Sequence, residues 1–261
     1  MDAGYTIDEL MVTTLAREFT NETRAFNGAV SFVPVCAYLL ARRTHAPELV
    51  WAAGSIAIDA DPAAIPESTL SDGLWAGASM LSGSSYDFWS FAQGRRYNTF
   101  AFRGAQMDGY GNVNNTVIGP YESPKVRLPG GGGMADLGCM LPLIYLWSTT
   151  HDPRTFVEKL DFRSGMGWGD GGQDRARLGL PGGPQLCVTN LCVFEFDAVS
   201  KRMRIRSLHP GVTAEQVVEA TGFELPLPSE PVLVTPEPTG EEIRILREEV
   251  DPTGARLREF R

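Results

Sequence analysis

Apolar and polar positions along the chain fall into two periods, one near 3.6 residues and one of two, and their alternation predicts an α/β order. In "YTIDELMVTTLAREF" the residues Ile7, Leu10, Met11, Thr14, Leu15 and Phe19 share one helical face, with Thr6 or Asp8 as a cap. "VSFVPVCAYLLARRTHAP" predicts a short loop feeding a helix over residues 35–43 that stops before Pro47. "ELVWAAGSIAI" predicts a buried strand ending at Gly54, so residues 52–55 lie where a βα crevice forms. Residues 59–75 are polar and broken by prolines, a loop or a lid. "SSYDFWSFAQGRR" predicts a helix with an aromatic face of Tyr86, Phe88, Trp89 and Phe91; a strand in "YNTFAFRGAQMD" and a tight turn in "GYGNVNN" follow.

Beyond residue 138 the pattern is less uniform. "CMLPLIYLWST" leaves helix and strand both open because of Pro142. "FVEKLDFRSG" and "QLCVTNLCVFEFD" are expected to be strands, joined by a glycine-rich excursion at 165–183. "SKRMRIRSL" alternates as a strand with a solvated face, and "TAEQVVEATGFEL" opens on a capping box of Thr213 and Gln216. Residues 226–239 form a proline-rich strap, and the tail "GEEIRILREEVDPTGARLREF" begins as a helix with acids early and bases late. No repeat and no clean linker divides the chain, so one α/β domain over residues 1–261 is expected, with 226–261 as strap and tail.

Composition narrows the function classes. The 261 residues are 43% hydrophobic and 21% charged, enough to bury a substantial core, and the 28 glycines and 18 prolines imply much loop surface. A net charge of -9 repels polyanions, and the one dense basic run, Lys201, Arg202, Arg204 and Arg206, alternates along a strand; nucleic acid is not an expected partner. Apolar runs end well short of membrane-spanning length, which argues against a membrane partner. Cys36, Cys139, Cys187 and Cys192 lack metal-ligand spacing, and the N-terminus carries no cationic and hydrophobic leader. A reducing, cytoplasmic setting and no metal are therefore expected.

The candidate chemistry centres on "VRLPGGGGMADLG". Gly130, Gly131, Gly132 and Gly133 either turn the chain or expose backbone N–H groups to an oxyanion; the spacing fits neither a P-loop nor a dinucleotide fingerprint. Lys125 and Arg127 stand beside the run as cationic groups or as solvated bases. In "GAQMDGYGNVNNT", Asn112 suits the turn, whereas Gln106 and Asn114 are the contact candidates. Glu122 and Asp136 are the carboxylates closest to the glycines. His45 fits a helix end, His209 a structural hydrogen-bonding role and His151 the surface. Without a G-x-S-x-G elbow, Ser55 is only a small residue at a strand end that retains a nucleophilic hydroxyl.

Taken together, "RTHAPELVWAAGSIA", "GAQMDGYGNVNNTVIG", "PKVRLPGGGGMAD" and "SLHPGVTAEQVVEATGFEL" resemble the β-subunit of class I coenzyme A transferases, the glutaconate type in particular. The tail "TPEPTGEEIRILREEVDPTGARLREF" also resembles the β-subunit of the hydrolase that opens a steroid ring as its acyl-CoA. The resemblance implies an open, mostly parallel sheet with helices on both faces, a three-layer sandwich. It also implies an α-subunit of similar fold, an α2β2 assembly, and coenzyme A present as part of the substrate with no permanently bound cofactor. Family transferases place a nucleophilic glutamate at the strand end before a glycine, and the matching position here is Ala52 or Ala53, ahead of Gly54.

Alanine carries no nucleophile, so the resemblance points to the members that have given up transfer: the carbon–carbon bond hydrolase and a decarboxylase of the 3-methylglutaconyl-CoA type. In either, Gly131 and Gly132 would stabilise an oxyanion. Lys125, Arg127 and Asn114 would hold a distal carboxylate or β-keto group, and Gly54, Gln106, Gly130 and Gly133 would complete the acyl-CoA contacts. The acid or base would come from the α-subunit or from Glu122. The tail favours the hydrolase and "KVRLPGGGG" the transferase and decarboxylase branch; a true transferase subunit and a β-chain that only shapes a pocket are the remaining readings.

Overall fold

A computed structural model describes residues 4–53, 57–69, 75, 77–228 and 230–260. The contacts gather the chain into two compact units, residues 1–101 with 236–261, and residues 102–235. Gly54, Ser55 and the middle of the expected lid lie outside the described residues.

In the first unit, helix α1 (Ile7–Ala16) starts where Glu9 reaches back to the Thr6 amide at 2.9 Å. Helix α2 (Phe32–Thr44) is buried from Phe32 through Ala41, as its nearly continuous apolar sequence requires. Strands β1 (Arg24–Phe26), β2 (Val50–Ala53), β3 (Ala57–Ile58) and β4 (Leu81–Ser82) are followed by helix α3 (Ser85–Gln93) and strand β5 (Thr99–Phe102). Their order is β5-β1-β2-β3-β4, with β1 parallel to both β5 and β2, and β3 and β4 added as antiparallel edges. The aromatic face expected for α3 packs as predicted, Phe88 meeting Phe26 edge-on at 4.6 Å, but Tyr86 stays 80% exposed. The loop that follows β3 is tied down at Thr69, whose hydroxyl donates to the carbonyls of Gly28 and Ala29 at 2.7 Å.

In the second unit the order is β10 (Leu143–Ser148), β11 (Gly183–Thr189), β12 (Cys192–Phe196), β13 (Met203–Leu208) and β14 (Leu233–Val234). β10 runs parallel to β11, the β11-β12-β13 meander is antiparallel, and β14 joins β13 in parallel. The fold class is thus α/β with an open mixed sheet, parallel in β5-β1-β2, β10-β11 and β13-β14. Two small antiparallel hairpins, β6 (Gln106–Met107) with β7 (Val113–Asn114) and β8 (Val117–Ile118) with β9 (Val126–Arg127), stand apart from it.

Several local expectations are corrected. Pro142 separates helix α4 (Met134–Met140) from β10, so the ambiguous segment is both helix and strand. "FVEKLDFRSG" forms no strand among the described residues; it is tied by isolated bridges at Phe156, Val157 and Gly165. "QLCVTNLCVFEFD" is a hairpin rather than one strand: the Thr189 hydroxyl accepts the amides of Leu191 and Cys192 and turns the chain. His151 is not on the surface but 7% exposed, its ring 4.2 Å from that of Phe156 and hydrogen-bonded by Thr189 and Thr221. His209 is the structural hydrogen-bonder expected, between the Thr235 hydroxyl and the Thr189 carbonyl.

Candidate functional site

Two places carry the candidate residues, one in each unit. In the first, β2 delivers Ala52 and Ala53 opposite Ile58 and Ala57. Both alanines are buried, but only Ala52 lines a crevice, together with Ile58, Asp87, Phe88 and Tyr97. Of the two residues the sequence left open, Ala52 is therefore the one whose side chain faces space. The crevice is narrow, with a free volume of about 10 Å³, room for no more than about one water. No described residue on its walls offers a serine, cysteine or carboxylate from the β2 end itself.

In the second unit the glycines are held by their upstream loop. The Asn115 carbonyl accepts the Gly130 amide at 2.8 Å and the Thr116 carbonyl accepts that of Leu128 at 3.0 Å. Gly130 has φ 103° and Gly132 φ 52°, conformations that side chains rarely adopt, while a Cβ on Gly131 would sit 3.0 Å from the Ser164 Cβ. Conformation thus demands two of the glycines and close packing the third. Among the described residues the amides of Gly131, Gly132 and Gly133 donate to no protein acceptor, so three N–H groups remain available to an anion.

The remaining predicted residues divide around that loop. Lys125, just before β9, and Arg127, on it, are exposed; the Arg127 guanidinium lies 5.1 Å from the centre of the Tyr121 ring, which itself stacks on Phe162. Glu122 is exposed in the turn between β8 and β9, and Asp136 is exposed in the first turn of α4. Gln106 and Asn114 are brought to each other instead of to the glycines. Asn114 donates to the Gln106 side-chain oxygen at 2.7 Å and to the Val117 carbonyl, while Gln106 donates to Asp161. Both are buried with their polar atoms engaged, a scaffold for the two hairpins.

Several residues that shape this place carried no sequence signal. Ser164 accepts the Asn115 amide at 2.8 Å beneath Gly131. Asn112, assigned to the turn, also accepts the Gly167 and Gly169 amides and donates to Asp108, whose carboxyl is pushed up by burial against the opposing pull of those hydrogen bonds. Arg175 is 2% exposed and donates to the carbonyls of Gly138, Gly167, Pro181 and Gly182, fixing α4 from below. One of two arginines in a glycine-rich stretch reads as a surface base; only folding reveals that it donates to several carbonyls.

Comparison with known proteins adds to this geometry. The model of the coenzyme A transferase family matches residues 9–220. The β-subunit of 3-oxoadipate CoA-transferase from Pseudomonas knackmussii is 40% identical over 254 residues, covering 94% of this chain and 93% of that protein. The cholesterol ring-cleaving hydrolase IpdB subunit of Rhodococcus jostii is 33% identical over 227 residues, 87% of this chain and 85% of that one. Among solved structures, glutaconate coenzyme A-transferase from Acidaminococcus fermentans superposes with a TM-score of 0.87 at 30% identity, covering 98% of each chain. The decarboxylase AibA/AibB superposes with a TM-score of 0.83 at 26% identity, covering 97% of this chain and 98% of its own.

Proposed function

The chain belongs to the coenzyme A transferase family, and from that premise we propose that it is the β-subunit of a heteromeric enzyme that hydrolyses a carbon–carbon bond in a β-keto or dicarboxylic acyl-CoA without forming a covalent acyl intermediate. The observation that carries this reading is Ala52: it stands at the β2 end, faces the crevice, and has no group able to attack a thioester. Reaction then proceeds with the thioester held and polarised. The free amides of Gly131, Gly132 and Gly133 suit a developing oxyanion, and one such donor contributes roughly 3–4 kcal/mol to a transition state. Lys125 and Arg127, exposed at β9 and the residue before it, suit a distal carboxylate.

The relatives support a partner, because the proteins named in the comparisons are subunits of two-component enzymes. An α-subunit of similar fold, in an α2β2 assembly, completes the proposal. The likeness to AibA/AibB supports decarboxylation as the second reading, since it too dispenses with a transferred acyl group. Among the described residues no helix is long and apolar enough to cross a membrane.

The test is mass analysis of acyl-CoAs after mixing with the complex of this chain and its α-subunit. Addition of water with chain cleavage supports the hydrolase, and loss of carbon dioxide supports the second reading. Acyl transfer to acetate, or a hydroxylamine-sensitive adduct on this polypeptide, overturns both.

A further inference from the structure

Arg103, the residue after β5, is half-buried, yet its guanidinium makes a single hydrogen bond among the described residues, from Nη2 to the Thr149 hydroxyl at 3.0 Å. The half-buried Arg17, Arg42, Arg43 and Arg202 each meet a carboxylate instead. A cation partly withdrawn from water, with neither a carboxylate nor a carbonyl against it, lacks the partner that normally offsets its desolvation.

The group is held in place all the same. Its central carbon lies 5.1 Å from the centre of the Trp147 ring, which β10 carries fully buried. Nη2 has two hydrogens and Thr149 takes one, so a two-pronged edge, Nη2 with either Nε or Nη1, stays free. The Trp147 Nε1 also has no acceptor among the described residues. Guanidinium and indole N–H groups only donate, so what this place lacks is an acceptor. A carboxylate or a phosphate, with two oxygens side by side, matches such a fork.

Hydrogen bonds connect Arg103 to the glycine loop. Its carbonyl accepts the Asn115 side-chain amide at 2.8 Å, and the Asn115 carbonyl accepts the Gly130 amide at 2.8 Å. We propose that Arg103 binds the distal carboxylate of a dicarboxylic acyl-CoA and so sets the substrate class; this rests on the acyl-CoA reading above. Lys125 and Arg127 are exposed and attract such an anion, whereas a fork held on a buried indole selects it by geometry. Of the β-keto and dicarboxylic classes, Arg103 selects the dicarboxylic.

The test is calorimetric titration of the complex with its α-subunit, using glutaryl-, adipyl- and pimeloyl-CoA, each paired with the monocarboxylic acyl-CoA of equal length. The parent is expected to bind at least one dicarboxylic thioester more tightly than its neutral counterpart. Arg103→Gln is expected to weaken that thioester about 10- to 100-fold, the range for a charge-assisted hydrogen bond, and to leave the neutral counterpart unchanged. Arg103→Lys keeps the charge without the fork, and is expected to lose about tenfold or more on the dicarboxylic thioester alone. It carries the test if the glutamine variant does not assemble. Equal weakening of both members of a pair assigns the guanidinium to the phosphates of coenzyme A; no change in either leaves it without a ligand. Both results overturn the proposal, as does a parent that binds both members alike. Acyl transfer by a complex that discriminates as expected removes the hydrolytic reading and leaves the Arg103 site standing.

Discussion

The Arg256 guanidinium lies 2.6 Å from the Asp8 carboxylate with both side chains at least nine-tenths buried, which joins the last turn of the chain to its first helix. The same guanidinium meets Asp251 at 2.9 Å and Glu9 at 3.0 Å. Arg247 supplies Glu9 with a second cation at 2.7 Å and holds that carboxyl below its usual range, against the penalty of burial. This part of the tail braces the first helix of its own unit.

Removing the cation leaves buried carboxylates without a counter-charge. Arg256→Met is expected to cost about 3–5 kcal/mol, the range for breaking a buried pair, read as a lower urea midpoint. Arg244→Ala, on the exposed side of the tail, is expected to change stability by less than about 1 kcal/mol.

The two buried histidines predict an acid-side loss of stability. Burial depresses His151 and His209 to about 4 from 6.5. Between those values the unfolded chain binds the protons and the folded chain does not, so stability is fully present above pH 6.5 and falls as pH drops toward 4. Each ring contributes at most about 3 kcal/mol to that slope. His151→Gln is expected to lower stability at pH 7.5 and to flatten the pH dependence of Tm between pH 6.5 and 4; an unchanged slope excludes this ring as its source.

Arg175 tests how the glycine-rich excursion at 165–183 is held. Arg175→Lys retains charge but cannot span the carbonyls of Gly138, Gly167, Pro181 and Gly182. The variant is expected to lose about 2–3 kcal/mol and to raise amide exchange around residues 165–183. Protection equal to the parent there contradicts a clamping role.

The glycines separate into conformational and packing roles with different consequences. Gly132→Ala meets open space but must adopt φ 52°, costing about 1–2 kcal/mol in stability. Gly131→Ala instead pushes on Ser164 and displaces its own amide. On the proposed function it is expected to reduce kcat/KM of the complex by roughly 100-fold through loss of one oxyanion donor. A change confined to acyl-CoA affinity, with kcat intact, supports a β-chain that only shapes the pocket.

Much of the framework was legible in the residues. The cap at Thr213, the alternation Met203-Arg204-Ile205-Arg206-Ser207 and the apolar run of α2 each follow from local pattern, because the information lies within one turn or one pleat. The resemblance carried by the ordered motifs agrees with the family that the comparisons show. The missing nucleophile follows from that resemblance, which left Ala52 and Ala53 both open; only the folded chain shows that Ala52 lines the crevice.

What local pattern could not supply was which polar groups satisfy one another across many residues. Gln106 and Asn114 looked like ligand contacts because short amides in a turn look alike whether they face a pocket or each other. His151 looked exposed because its partners, Thr189 and Thr221, lie 38 and 70 residues away. Ala52, Asp87 and Tyr97 line one crevice only once the strand and helix that carry the first two are packed. Residue order sets periodicity, caps and the identity of each reactive group, since these depend on neighbours in sequence. Folding alone decides burial and hydrogen-bond partnership, because both are fixed by chain segments that approach one another only when the apolar surfaces close.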